Sequence, residues 1–245
     1  MKLSNVTAHL KLLSIATAFI IACSVLANPE FCRCQAMENA DQQRTWQVGL
    51  FFAGGAPPSY MVANSHIPVS ANIQLQMYSF GFEGGKLIGR AHGKGILRGL
   101  MEMRAEAIPF WIGRYPAQTV VIRYGDGSKA SEVWNGKNFS GSSITPLMAR
   151  WNFNPKISAR YSPWIQMGAG ALWTNHKFPI TIWASPSSAF NFTPQIGAGF
   201  NVFQYSKRSI EFGIKAVHIS NAGLGDSNPG VNQTIMGSIG YCWWR

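Results

Sequence analysis

Between Leu97 and Ala107 the chain alternates without a break. Leu97, Gly99, Met101, Met103, Ala105 and Ala107 fall in one set, and Arg98, Leu100, Glu102, Arg104 and Glu106 in the other. A β-strand sends successive side chains to opposite faces, so this segment has one apolar face and one that is almost wholly charged. The pattern recurs. Met148, Arg150 and Asn152 alternate with Leu147, Ala149, Trp151 and Phe153, and Ile210, Phe212, Ile214 and Ala216 alternate with Glu211, Gly213, Lys215 and Val217. Asn191, Thr193, Gln195, Gly197 and Asn201 alternate with Phe192, Pro194, Ile196, Ala198, Phe200 and Val202. Two sheets accept such strands. A soluble sandwich buries the apolar face and exposes the charges; a membrane barrel turns the apolar face to lipid and encloses the charges.

The N-terminus favours the second. Lys2 and Lys11 precede an apolar run, Leu12 to Leu26, that is short for a membrane helix, and Val25-Leu26-Ala27 offers a cut before Asn28. Residues 1–27 read as a secretory signal, 28–45 as a periplasmic segment and 46–245 as the barrel domain. A second reading takes Ile20-Ile21-Ala22-Cys23 as a lipoprotein box with Cys23 lipidated. No run of about 18 apolar residues follows the signal, which excludes a bundle of membrane helices. The expected fold is all-β: an eight-stranded antiparallel up-and-down transmembrane barrel, with strands near 46–54, 72–83, 96–108, 143–153, 159–173, 188–204, 208–220 and 233–245. Inside so small a barrel side chains fill the lumen, so Arg98, Glu102, Arg104 and Glu106 are expected in one buried charge network.

Short links after the fourth and sixth strands, Asn154-Pro155-Lys156 and Tyr205-Ser206-Lys207-Arg208, fit periplasmic turns, and the long links after the first, third and fifth fit outside loops. The link between the second and third strands is long for a periplasmic turn. The connection 111–142 is longer still, and Tyr124-Gly125-Asp126-Gly127 inside it reads as a turn between two strand extensions. The 21 basic residues, less Lys2 and Lys11, leave 19 against 10 acidic ones. For an exported chain that excess points to an anionic lipid surface and away from nucleic acid. Cys32, Cys34 and Cys242 remain after cleavage, an odd count; a bridge from Cys32 or Cys34 to Cys242 is chemically permitted, and Cys-Arg-Cys without a histidine cluster is a poor metal site.

Continuing the alternation past Ala216 places His218 and Ser220 on the apolar face. Serine becomes a useful nucleophile when a base takes its proton, and histidine is the usual base near neutrality. Positions i and i+2 of a strand lie about 6.5–7 Å apart, within reach of both side chains. Asn221 and the Gly223 backbone N–H could serve as donors to an oxyanion. Alone, His-x-Ser is equally a polar pair finishing a strand near lipid headgroups.

The longer string His218-Ile219-Ser220-Asn221-Ala222-Gly223, followed by Asn228-Pro229-Gly230-Val231-Asn232, resembles the PagL-type lipid A 3-O-deacylases. So does Gly95-Ile96-Leu97-Arg98-Gly99-Leu100-Met101-Glu102 with Glu106-Ala107-Ile108-Pro109-Phe110 after it, a strand shared with bacterial acyloxyacyl hydrolase-like proteins. The resemblance implies an outer-membrane esterase acting on the acyl chains of lipopolysaccharide without metal or cofactor. It implies Ser220 as nucleophile, His218 as base, and Asn221 and Gly223 at the oxyanion. Where members carry a glutamate that orients the histidine, this chain has Asn232; Asp226 is a substitute on charge grounds. The alternative is a non-catalytic barrel with a structural or lipid-binding role. Oligomeric state and the acyl chain removed are left open.

Overall fold

The computed structural model describes residues 44–56, 60–64, 67–71, 75–153, 159–178, 188–205, 207–224 and 231–245. All lie in one unit, Ala40–Arg245; a second unit, Met1–Asn39, falls outside the described residues, and with it the signal segment and its cleavage site.

Thirteen strands run in chain order: β1 (Trp46–Ala56), β2 (Tyr60–Asn64), β3 (Ile67–Ala71), β4 (Gln76–His92), β5 (Gly99–Tyr115), β6 (Gln118–Arg123), β7 (Lys129–Trp134), β8 (Lys137–Phe153), β9 (Tyr161–Phe178), β10 (Ser188–Phe192), β11 (Gln195–Tyr205), β12 (Arg208–Ile219) and β13 (Val231–Trp244). Antiparallel ladders join β1 to β4, β4 to β5, β5 to β8, β8 to β9, β9 to β10 and β11, β11 to β12, β12 to β13, and β13 back to β1. The ladder from β13 back to β1 closes this sheet into a ring. Counting β10 and β11 as one interrupted strand, the ring has the expected eight. The interruption is Thr193-Pro194: proline has no N–H for the ladder, while Thr193 donates to Gly170 O (2.8 Å) and accepts from its N–H (3.3 Å).

The parity read from the sequence holds through the wall except at the inner end of β11, where Val202, placed with the outward row, is buried. Glu102, Arg104 and Glu106 of β5, Arg150 and Asn152 of β8, and Glu211 and Lys215 of β12 are buried in the lumen. Phe52, Phe82, Ile165, Ile196, Ile214 and Ile239 stand exposed on the outside. An apolar outer face over a polar, filled lumen is the arrangement of a membrane barrel.

The lumen is layered. In the middle, Arg104 pairs with Glu83 at 2.5 Å and with Glu211 at 3.4 Å; Arg150 pairs with Glu211 at 2.5 Å and stacks over Trp164; Lys215 pairs with Glu106 at 3.0 Å. Charges enclosed this way need every partner, since an unpaired one would carry its full desolvation cost. Above lies an apolar plug including Phe51, Met77, Trp111, Phe139 and Ile219; below lie Phe203, Cys242 and Trp244.

Four expectations need correction. Arg98 is not in the network: it follows a short 3₁₀ turn (Gly95–Leu97) ahead of β5 and is exposed. The link between the second and third barrel strands is short, because β4 continues to His92 and leaves only Gly93–Arg98 as turn. The connection after β5 spans 116–136, since β5 and β8 extend to Tyr115 and from Lys137; it carries the β6–β7 hairpin, turning at Asp126-Gly127 as the sequence suggested. Cys242 makes no bridge: it is a buried free thiol pointing into the lumen, with Sγ 3.4 Å from Glu83 Oε1. Cys23, Cys32 and Cys34 lie outside the described residues.

Candidate active site

The short connections (93–98, 154–160 and 206–207) share one end of the barrel with Trp46 and Trp244, and the long ones share the other. With short turns on the periplasmic side, β12 runs outward and ends at the site. His218 N–H donates to Pro194 O (2.9 Å), and Ser220 exchanges backbone bonds with Phe192, N–H to O at 3.1 Å and O from N–H at 2.7 Å. The last turn of β12 is therefore stitched to both sides of the break in its neighbour. His218 and Ser220 are half-buried and alternate with the buried Val217, Ile219 and Asn221. Parity thus brings the two candidate catalytic side chains to the outer, lipid-facing surface.

After Ser220 the chain turns sharply. Ala222 has φ 53° and Gly223 φ 81°, left-handed conformations that glycine tolerates and alanine resists. Side chains hold the turn: Ala222 N–H donates to Ser220 Oγ (3.2 Å), and Gly223 N–H to Asn221 Oδ1 (3.0 Å). Asn221 is fully buried, turned toward the lumen. Each of these bonds occupies an atom that hydrolysis would use. Ser220 Oγ keeps a second lone pair and its proton for a base, whereas Gly223 N–H must leave Asn221 before it can meet an oxyanion.

Across the ladder, Ile219 pairs with Val231 and Val217 with Thr234, with a shift of register between. The backbone of Asn232 and Gln233 therefore lies opposite His218 in the ladder. Asp226 lies outside the described residues.

Sequence reasoning missed the surface beside the pair. A groove of about 530 Å³ runs down the outer wall from His218, floored by Gly168, Ala169, Pro194 and Ala216 and edged by Met167 and Ile196. A second hollow of about 490 Å³, sharing Met167, Ile196 and Ala216, carries the apolar track on toward Ile165 and Ile214. Its signal in the sequence was the run of small outward residues, Ala169, Pro194 and Ala216, where neighbouring outward positions hold isoleucine, methionine or phenylalanine.

Among curated protein sequences none matches the chain. Of solved structures, the crystal structure of the outer membrane enzyme PagL aligns with 80% of this chain and 98% of its own, at 18% identity and a TM-score of 0.49. The N-terminal β-barrel domain of Pseudomonas aeruginosa OprF aligns with 83% and 100% at 11% identity and 0.41, and Pseudomonas aeruginosa OprG with 83% and 97% at 9% and 0.46. The barrel itself rests on the ladders above. The sequence profile of the family described as lipid A 3-O-deacylase (PagL) matches residues 117–241, just over half of the chain, from the β6 hairpin through β12 to β13. On that match the chain belongs to the lipid A 3-O-deacylase (PagL) family, as an integral barrel of the outer membrane.

Proposed function

We propose that this barrel is a serine esterase that removes an ester-linked acyl chain from lipid A within the outer leaflet. The observation that carries the reading is the placement of His218 and Ser220: a base and a hydroxyl on the lipid-facing wall, at the outer end of β12, at the head of an apolar groove. An acyl chain lying in the groove would bring its ester to Ser220. His218 takes the Oγ proton as the oxygen attacks the carbonyl carbon, then returns it as the acyl–sugar bond breaks. The acyl-enzyme is cleared by water activated by the same imidazole. The oxyanion falls to Gly223 N–H once it is released from Asn221 Oδ1; the Asn221 side chain, turned toward the lumen, sets that turn and does not itself reach the ester. Asn232, whose backbone lies beside His218 in the ladder, orients the imidazole; asparagine can accept a hydrogen bond from it but does not offset imidazolium charge.

A second reading, a lipid-binding barrel without turnover, draws on the same turn: Ser220 Oγ and Asn221 Oδ1 are satisfied by backbone N–H groups with no substrate present. Mass spectrometry of lipid A treated with the refolded protein separates the two. Loss of one acyl chain by the native protein, reduced roughly 10⁴-fold or more in Ser220→Ala and His218→Ala, supports the esterase. Intact lipid A with native protein, or undiminished release by folded Ser220→Ala, removes it.

A further inference from the structure

The formal charge of the chain is +11, and the structure spends none of the described part of it evenly. At the end with the short turns, the β4–β5 hairpin exposes Lys86, Arg90, Lys94 and Arg98. The residues leading into β9 and β12 add Arg160, Lys207 and Arg208. Among the described residues no carboxylate side chain answers them. Glu83, Glu102, Glu106 and Glu211 are enclosed in the lumen, and Asp126 and Glu132 belong to the β6–β7 hairpin at the opposite end. A surface built only for solubility mixes its signs; the described part of this rim carries one.

Three of these cations have an aromatic residue of the outer wall as a neighbour. Lys86 stands opposite the exposed Trp46 in the β1–β4 ladder. Arg208 stands between Tyr205 and Trp243, its partners on either side. The Arg160 guanidinium is 5.5 Å from the centre of the Tyr161 ring. Outward Trp and Tyr mark the level where hydrocarbon meets headgroup, so each cation is held at the depth of lipid phosphates. The pairs are spaced around the ring, on β1–β4, on β9 and on β11–β13. Below them the hairpin tip presents Ile96 and Leu97, 92% and 65% exposed, between Lys94 and Arg98. Apolar side chains flanked by cations are what a charged interface accepts.

We infer that this rim binds anionic phospholipid headgroups of the periplasmic leaflet, with Lys86, Arg160 and Arg208 each meeting a phosphate beside its aromatic neighbour. The inference is independent of hydrolysis at Ser220. The lipid chemistry it selects, a glycerophospholipid with net negative charge, differs from the glycolipid of the other leaflet.

The test refolds the full chain into phosphatidylcholine vesicles doped with brominated phosphatidylglycerol or, at the same mole fraction, brominated phosphatidylcholine. Bromine quenches nearby tryptophan, and Trp46 and Trp243 lie beside two of the cations. The anionic quencher is expected to act several-fold more strongly on the native chain. That preference should vanish in the Lys86→Gln/Arg160→Gln/Arg208→Gln variant, shown to be folded by heat-modifiable gel mobility, and survive in Arg160→Lys/Arg208→Lys. If the triple variant does not fold, the three single variants decide, each expected to lose part of the preference. Equal quenching by the two lipids, or a preference untouched by the glutamine substitutions, overturns the inference. So does sedimentation with purified peptidoglycan that depends on these residues in the absence of any lipid preference, which would assign the rim to an anionic polymer.

Discussion

His218 and Ser220 were legible because parity is a local property: once Ile210 to Ala216 set the outward face, the two residues after them had no other side to occupy. Their surroundings were not legible, because groove, break and turn depend on which strands become neighbours. Pro194 lies 24 positions before His218 in sequence, yet its carbonyl holds the His218 N–H. The third member of the site stands between these cases. The ladder brings the backbone of Asn232 beside His218, while Asp226 belongs to the loop between. The two candidates predict different kinetics. If Asn232 orients the imidazole, Asn232→Ala lowers kcat less than Ser220→Ala does, and Asn232→Glu raises it about tenfold or more by stabilising imidazolium. If Asp226 does so, Asp226→Asn is the damaging change and Asn232→Ala is nearly silent. Because the members of such a unit act together, Ser220→Ala/His218→Ala should be no slower than either single variant. Rates of acyl release from lipid A by the native chain and these variants, each checked for folding, settle the assignment.

Among the strands, alternation was informative only where lipid enforces it. Within the wall of β5, β8 and β12 it gave the right face for nearly every residue. Outside the bilayer nothing requires an apolar row, and there the pattern does not mark the boundaries. The alternation of β4 fades near residue 83, yet the strand runs on through Lys86, Arg90 and His92, while β5 and β8 continue into the outer hairpin. A bulge also reverses parity in β5: inward Glu106 and Ile108 give way to inward Trp111 after Pro109-Phe110. The same logic ranks the lipid-facing positions by depth. Ile214 sits halfway along β12, whereas Met103 is the ladder partner of Lys86 near the inner rim. Ile214→Lys is therefore expected to cost roughly 2–4 kcal/mol of folding free energy, and Met103→Lys about 0–1 kcal/mol, because the penalty for a cation falls toward the interface. Urea titrations of both variants in vesicles measure the difference; equal costs would mean that the wall is placed wrongly in the bilayer.

At the scale of the whole molecule, stability and the proposed chemistry occupy opposite faces of one wall. The lumen holds the charge network and the apolar plug; the candidate site, the groove and the cationic rim are all outside it. The charges on one face of the strands showed that a network would exist, but its pairings, Arg150 with Glu211 and Lys215 with Glu106, join strands 61 and 109 residues apart and follow only from closure of the ring. Glu211 joins the two guanidinium groups, meeting both Arg104 and Arg150. Glu211→Leu leaves two buried guanidinium groups short of a partner and is expected to cost about 3–5 kcal/mol. Replacing Arg150 by Leu as well removes one stranded charge with its partner, so the double variant should recover part of that loss. Neither change touches the outer surface, and the fraction that remains folded should release acyl chains at the native rate. Ser220→Ala should show the reverse, native stability with no turnover, because its side chain adds nothing to the packed lumen. Urea midpoints and activity per folded molecule, measured together on Glu211→Leu, Glu211→Leu/Arg150→Leu and Ser220→Ala, test the separation. A Glu211 variant that is fully folded but slow would mean that the lumen network reaches through the wall to His218.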